Sequence, residues 1–203
     1  MPIMHNIFNY CISNPIIYID TNGEDIVINI YNNDFSTIFD FDLGHVDISI
    51  DGTIYTYGRY SNTWGLFGSR GEGILVVGDE SFFIEQQREK RNVVRFTLNL
   101  TDEEEKRIKE FYTRLVERGE LYQTLGQGTD QERMFYSFPD DHQYATYDVI
   151  QTNCTTVVVD ALEHGLGKRF PFVLKSNFIP SELYNGLLNL KYLFKKKEIL
   201  QKK

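Results

Sequence analysis

The clearest hydrophobic pattern of the chain lies in residues 44–58, GHVDISIDGTIYTYG. Apolar residues at positions 46, 48 and 50 alternate with polar ones, which is the period of a strand that buries one face. Asp51 and Gly52 follow, a pair that suits the positive φ angles of a tight hairpin turn. The pattern therefore predicts a β-hairpin, and similar runs predict strands in residues 25–31 and 92–100.

A helical pattern occupies residues 101–119. Thr101 and Glu104 match a capping box, acidic residues fill the first turn, and Gly119 closes the segment. Four apolar side chains share one face at helical spacing: Ile108, Phe111, Tyr112 and Leu115. The pattern therefore predicts an amphipathic helix whose charged residues face the solvent.

Residues 147–165, YDVIQTNCTTVVVDALEHG, carry two conflicting patterns. The β-branched residues 155–159 favour a strand. Asn153 as an N-cap and Gly165 as a C-cap favour a helix. We predict a helix, because capping and burial override a weak local propensity. Cys154 then stands in the first turn of that helix.

Segments without a clear period are predicted as loops that border a groove. These are residues 61–73, which are rich in glycine and contain Trp64, and residues 120–146, which are polar and aromatic. Residues 180–203 are predicted as a C-terminal helix with a basic end. The chain shows no repeat and no Pro/Gly/Ser linker, so residues 1–203 are predicted to form a single domain.

Charge and cysteine content exclude several classes of protein. The 203 residues carry a formal net charge of −8, which argues against nucleic-acid binding, and no apolar run is long enough to span a membrane. The two cysteines, Cys11 and Cys154, give neither a disulfide framework nor a zinc motif, so no metal or cofactor is predicted. Cys11 is interpreted as a small apolar residue. The N-terminus lacks signal-peptide features, so we expect synthesis in the cytoplasm or export without a cleaved signal.

Cys154 is the residue with the strongest candidate chemistry. The N–H groups and the dipole of a helix start favour a thiolate. Of the four histidines, His45 is the best candidate base, because it lies on the polar side of its strand beside Gly44. His164 lies about 15 Å away along the helix, which is too far. A buried structural cysteine and a surface histidine are the alternative interpretations.

Together, GHVDISIDGTIYTYG and YDVIQTNCTTVVVDAL resemble the circularly permuted NlpC-like branch of the papain-like hydrolases. In that branch a Gly-His strand precedes an Asn-Cys helix, and the resemblance covers residues 40–165 of this chain. It implies an α+β fold in which a small antiparallel sheet packs on the helix that bears the nucleophile. It also implies Cys154 as the nucleophile and His45 as the base.

The third, orienting residue is left open by the sequence. A two-residue turn places Thr56 on the face of His45, whereas a three-residue turn places Tyr55 and Tyr57 there. Asp47 shares that face but lies on the same strand as His45. Three further residues are candidates for substrate binding: Trp64, Tyr147 and Asn153.

The resemblance implies acyl-transfer chemistry on an amide. Peptidoglycan stem peptides are the commonest substrates of the bacterial relatives. Some permuted members are antibacterial effectors delivered by contact-dependent routes such as type VI secretion, with an immunity protein in the producer. We therefore expect an endopeptidase or amidase that acts in the periplasm of a target cell. The alternatives are a lecithin:retinol acyltransferase-like acyltransferase or phospholipase, for which the basic C-terminal end would contact anionic lipid, and a binding module.

Overall fold

The residues that the computed structural model describes, 25–32, 44–64, 69–125, 133–176 and 179–203, contain a nine-stranded antiparallel sheet. Its strands are β1 (Ile26–Asn32), β2 (His45–Ile50), β3 (Thr53–Trp64), β4 (Arg70–Asp79), β5 (Asn92–Leu98), β6 (Glu120–Leu125), β7 (Arg133–Ser137), β8 (Thr146–Asp148) and β9 (Phe194–Leu200). The strand order is β6-β7-β4-β3-β2-β1-β5-β9, and β8 pairs with β4.

Helices cover both faces of this sheet. The α-helices are α1 (Glu80–Arg88), α2 (Asp102–Arg118), α3 (Cys154–Leu166) and α4 (Pro180–Asn189), and short 3-10 helices span Gly167–Arg169, Phe172–Ser176 and Lys191–Leu193. The main core lies between one face and α2, α3 and α4, while α1 packs on the other face. The fold is therefore α+β, as predicted. None of the helices in the described ranges is long and apolar enough to cross a membrane.

The predicted hairpin is formed by β2 and β3. Asp51 has a φ of 51° and Gly52 a φ of 76°, so these two residues alone make the turn. Ile50 pairs with Thr53, and the ladder continues to Ile48 and Tyr55. The even-numbered apolar residues of β2 face the main core, and Asp47 and Ser49 therefore point to the opposite face.

Both predicted helix starts are confirmed. Thr101 and Glu104 form the capping box of α2. Asn153 caps α3, where its side-chain oxygen accepts from the N–H groups of Thr155 and Thr156. The β-branched run after Cys154 is helical because the cap and the burial of its valines outweigh the local preference for a strand.

Both predicted loops contain strands, and the sheet is larger than expected. Most of residues 61–73 belongs to β3 and β4, which pair with a register shift between Arg59 and Thr63. Residues 120–146 contain β6, β7 and the first residue of β8. The sequence did not predict the pairing of β3 with β4, because glycines interrupt the alternation of apolar and polar residues there. It did not predict the pairing of β6 with β7, because β7 is only partly buried and shows no clean alternation.

The predicted helix over residues 180–203 ends at Asn189. The chain then forms β9, which pairs along β5 from Val93 opposite Leu200 to Leu98 opposite Phe194. Without β9, that side of β5 would be left with unpaired backbone groups. The lysine-rich segment therefore becomes a strand because the sheet edge supplies its hydrogen bonds.

The packing of α3 on α2 depends on Gly165. A Cβ atom at this position would lie 2.2 Å from Cγ1 of Ile108 and 3.2 Å from the backbone oxygen of Glu104. Alanine gains about 1 kcal/mol over glycine in a helix, whereas overpacking a core costs about 1–3 kcal/mol. Since a contact of 2.2 Å lies far inside van der Waals distance, we expect the clash to dominate.

We predict that Gly165→Ala lowers the free energy of unfolding by about 1–2 kcal/mol, measured as the shift in the midpoint of urea unfolding. The matched control is the same substitution in an Ile108→Ala background, where the clashing side chain is gone and the loss should shrink or reverse. An equal loss in both backgrounds would contradict this account of the α2–α3 contact.

Candidate active site

Cys154 is the first residue of α3, and its thiol is buried. The residue is 4% exposed and lies in the main core. Burial raises the pKa of the thiol to about 11, while the Val46 backbone N–H, which donates to the sulfur, acts in the opposite direction. The thiol is therefore protonated at neutral pH, and the predicted thiolate is wrong. The cause is the loss of hydration, which here outweighs the helix dipole.

The cap formed by Asn153 explains why the N–H groups at the helix start do little to lower the pKa of the Cys154 thiol. Its side-chain oxygen lies 2.8 Å from the Thr155 nitrogen and 3.2 Å from the Thr156 nitrogen, so those N–H groups already have an acceptor. Its side-chain nitrogen donates to the Val149 carbonyl at 2.8 Å. Asn153 is 3% exposed and acts as the cap of α3, and its predicted contact with substrate stays a prediction.

The sulfur lies where the β2–β3 ladder stops. Counted outward from the two-residue turn, residues 50, 48 and 46 of β2 direct their N–H groups toward β3. The ladder ends at Ile48 and Tyr55, and the Val46 N–H donates to Cys154 instead. We call the space bounded by Val46 of β2 and Tyr57 of β3 the β2–β3 gap. The thiol therefore takes the place of the next backbone acceptor in the sheet.

His45 and Thr56 meet on the other side of this gap. The His45 Nε2 atom lies 2.5 Å from the Thr56 hydroxyl oxygen. The imidazole also stacks on Tyr31, with ring centroids 5.7 Å apart, and its Nε2 lies 4.0 Å from a carboxyl oxygen of Asp47. The placement of Thr56 beside His45, predicted for a two-residue turn, is confirmed, while its catalytic role stays a prediction.

His45 and Cys154 approach the β2–β3 gap from opposite sides. Neighbouring residues of a strand point to opposite faces, so the His45 side chain leaves β2 on the α1 face while Val46 faces the main core with Cys154. Among the described residues, His45 makes its side-chain hydrogen bond to Thr56 and none to Cys154. The sequence predicts His45 within hydrogen-bond reach of Cys154, directly or through one water, and of these two forms the direct hydrogen bond is not formed.

The groups around the β2–β3 gap are mostly uncharged at neutral pH. Burial lowers the pKa of His45 to about 4, and the positive charge of Arg91 acts in the same direction. Burial raises the pKa of Asp47 to about 8, although its hydrogen bond from Asn29 opposes that change. The imidazole and the thiol are thus neutral at pH 7 and the Asp47 carboxyl is mostly protonated, which fits a buried site without a counter-ion for each group.

A surface cavity of about 420 Å³ opens beside His45. Its walls include Arg59, Arg91 and Tyr147, and also Val149, whose carbonyl accepts from Asn153. The cavity therefore joins the imidazole to the segment that leads into α3. Tyr147, a predicted substrate-binding residue, lines this cavity.

Tyr55 and Tyr57 do not lie beside His45. Tyr57 faces the main core, where its hydroxyl donates to the Tyr144 carbonyl at 3.0 Å. The three-residue turn that would have placed Tyr55 and Tyr57 beside His45 is absent, since Asp51 and Gly52 alone connect the described strands. Trp64 belongs to β3, but its side chain lies outside the described residues, as does Cys11.

Sequence reasoning missed the two arginines of the cavity. Arg59 follows the hairpin on β3, and Arg91 follows α1 immediately before β5. The signal was weak because the two residues are far apart in sequence and α1 itself was not predicted. In the described part of the chain, no group of three or more His, Cys, Asp or Glu side chains is arranged to hold a metal ion.

In comparisons with known proteins, the chain matches no family model, no curated protein and no solved structure.

The buried thiol gives a prediction opposite to that of a thiolate. With a pKa of about 11, the thiolate fraction of Cys154 at pH 7 is roughly 300-fold smaller than that of an ordinary cysteine. We therefore expect iodoacetamide to label Cys154 slowly at pH 7, with a rate that rises with pH up to about 11. The measurement is mass spectrometry of a Cys11→Ser variant across a pH series.

The control is the same variant unfolded in urea, which should react at the rate of a free thiol. A labelling rate in the native protein that levels off below pH 8 would mean that the thiol is primed despite its burial.

Proposed function

We propose that the chain is a cysteine hydrolase that cleaves amide bonds in peptidoglycan stem peptides and has the circularly permuted NlpC-like fold. The observation that carries the proposal is the 2.5 Å contact between His45 and Thr56 beside the gap that Cys154 enters. A base held by a hydroxyl, across a gap between two strands from a helix-borne cysteine, can serve nucleophilic catalysis when one water bridges the two groups. The sequence order of His45 and Cys154 agrees with the permuted branch.

The neutral charge states favour general-base catalysis over a preformed thiolate–imidazolium pair. The Nε2 atom of His45 contacts Thr56, which leaves Nδ1 for the thiol. In the proposed step, the proton of Cys154 passes through one bridging water to Nδ1, while the sulfur forms a bond to the carbonyl carbon of the amide. The protonated imidazole then gives this proton to the leaving amine as the C–N bond breaks, and a thioester remains.

Hydrolysis of the thioester completes the cycle. His45 takes a proton from water, the water oxygen attacks the acyl carbon, and the carbon–sulfur bond breaks with return of the proton to the thiol. The backbone N–H of Cys154, at the start of α3, is the assigned donor to the oxyanion in both halves. Thr56 acts as a positioning residue that fixes the ring and its tautomer.

The substrate class comes from the resemblance and from the character of the chain. An acidic protein rich in tyrosine and phenylalanine suits a polar peptide better than a fatty acyl chain. Delivery into a target periplasm by a contact-dependent route, with an immunity protein in the producer, belongs to the same proposal.

The lipid-acting alternative draws on the lysines of the C-terminal end, which have protein partners. Lys195 forms an ion pair with Asp25, and Lys196 lies 2.9 Å from Glu198. Lys197 donates to the Tyr184 hydroxyl at 3.1 Å. These lysines belong to a paired strand, which weakens the case for a lipid-binding tail and favours the peptide substrate.

We predict that export of the protein to the periplasm of a Gram-negative host lyses the cells, whereas expression in the cytoplasm does little harm. Cys154→Ala should abolish lysis, because the nucleophile is lost. Purified protein should release peptide fragments from muropeptides and leave phospholipid vesicles unchanged, as measured by mass spectrometry. Lysis that survives Cys154→Ala, or hydrolysis of the phospholipid alone, would reject the peptidoglycan proposal.

We predict that Thr56→Val lowers kcat/KM for muropeptides by about 10–100-fold, because one hydrogen bond to the base, with a value of about 1–3 kcal/mol, is lost. Thr56→Ser keeps the hydroxyl and should restore most of the activity. Valine matches the shape of threonine, so equal urea midpoints for both variants would exclude a general loss of stability. Equal activity of the Val and Ser variants would remove Thr56 from the mechanism.

A further inference from the structure

The described lining of the cavity beside His45 is cationic, although the protein is acidic. Arg59 and Arg91 line it together with His45, and none of the described lining residues is a carboxylate. The whole chain carries a formal net charge of −8, so this is a local reversal of sign. Such a reversal at the mouth of a site attracts anionic ligands.

The positive charge of the cavity acts on the His45 imidazole and lowers its pKa. Arg91 lowers the pKa of His45, which means that its guanidinium lies close enough to act on the ring electrostatically. A ligand group held by Arg91 therefore sits near the proposed base. Val149 and Tyr147 place the opposite wall on the segment that enters α3 at Cys154.

The guanidinium group indicates which anion fits. Arginine presents a planar fork that matches a carboxylate with two parallel hydrogen bonds. Gln87 adds an amide and Tyr147 a phenol ring to the same cavity, groups that suit the polar backbone of a peptide.

We propose that Arg59 and Arg91 bind a free carboxylate of the substrate close to the amide that is cleaved. The inference rests on the proposed function and makes it more specific, since it selects peptides with a free carboxylate over their carboxamide forms. The carboxylate belongs either to the C-terminus of the peptide or to a side chain. Arg59 and Arg91 are then specificity-determining residues.

The experiment measures binding in the absence of cleavage. The Cys154→Ala chain is titrated calorimetrically with synthetic stem peptides in four forms: both types of carboxylate free, the C-terminus amidated, the side-chain carboxylates amidated, and all amidated. Hydrogen bonds to a charged group contribute about 1.5–3 kcal/mol, so we expect amidation of the recognised carboxylate to weaken binding about 10–150-fold. Whichever single amidation causes this loss identifies the source of the carboxylate.

Substitutions of Arg59 and Arg91 test whether the preference for a free carboxylate arises in the cavity. In the Cys154→Ala chain, Arg59→Gln and Arg91→Gln should each weaken binding of the free peptide and reduce its advantage over the fully amidated peptide. Arg59→Lys and Arg91→Lys keep the charge but lose the fork, so intermediate affinities are expected. Arg114→Gln, on the exposed side of α2, is the matched control for the loss of one positive charge and should change neither quantity.

Cleavage by the unsubstituted chain separates the two proposals. If it cleaves free and amidated peptides at the same kcat/KM, the hydrolase proposal stands and carboxylate recognition is wrong. If the Cys154→Ala chain binds free peptides selectively through the two arginines but the unsubstituted chain cleaves none, recognition stands and the hydrolase proposal fails. Equal binding of all four peptides by the Cys154→Ala chain overturns the inference directly.

Discussion

The backbone N–H of Val46 donates a hydrogen bond to the Cys154 sulfur. This bond replaces the one that Val46 would otherwise donate to β3. Without the sulfur, the buried N–H group of Val46 would have no acceptor, which would cost about 1–3 kcal/mol of stability. The sulfur accepts from this N–H group. The start of α3 is therefore held against β2 by a hydrogen bond to the backbone as well as by apolar packing. The positions of His45 and Thr56 follow, because both flank the place where the strands separate.

Burial determines the charge states of the titratable groups around the β2–β3 gap. The same loss of hydration raises the pKa of Cys154, lowers that of His45 and raises that of Asp47. Separate charges on these groups would each need a partner in the interior, so burial favours the neutral form of each group. Under the proposed hydrolase function, the reaction starts from neutral groups and charge develops only as it proceeds. The site then differs from cysteine sites whose thiolate exists before substrate arrives.

The sequence predicted elements whose cause is local and missed those whose cause is distant. The Asp51-Gly52 turn and the caps at Thr101 and Asn153 depend on residues next to each other, and they were predicted correctly. The strand β9 depends on an open edge of β5 about a hundred residues earlier, and its lysines gave no sign of it. The neutral thiol was missed for the same reason, since burial belongs to the assembled core, whereas a helix start is visible in the sequence.

The pairing of β5 with β9 has a consequence for synthesis of the chain. Val93 lies opposite Leu200, so the two partners leave the ribosome 107 residues apart. At about 5–20 residues per second, the outer side of β5 waits roughly 5–20 s for its partner. During that time the nascent chain presents an unpaired strand edge, the kind of surface that chaperones bind and that aggregates recruit. The speed of translation across residues 99–193 therefore sets how long each new molecule is exposed to misassembly.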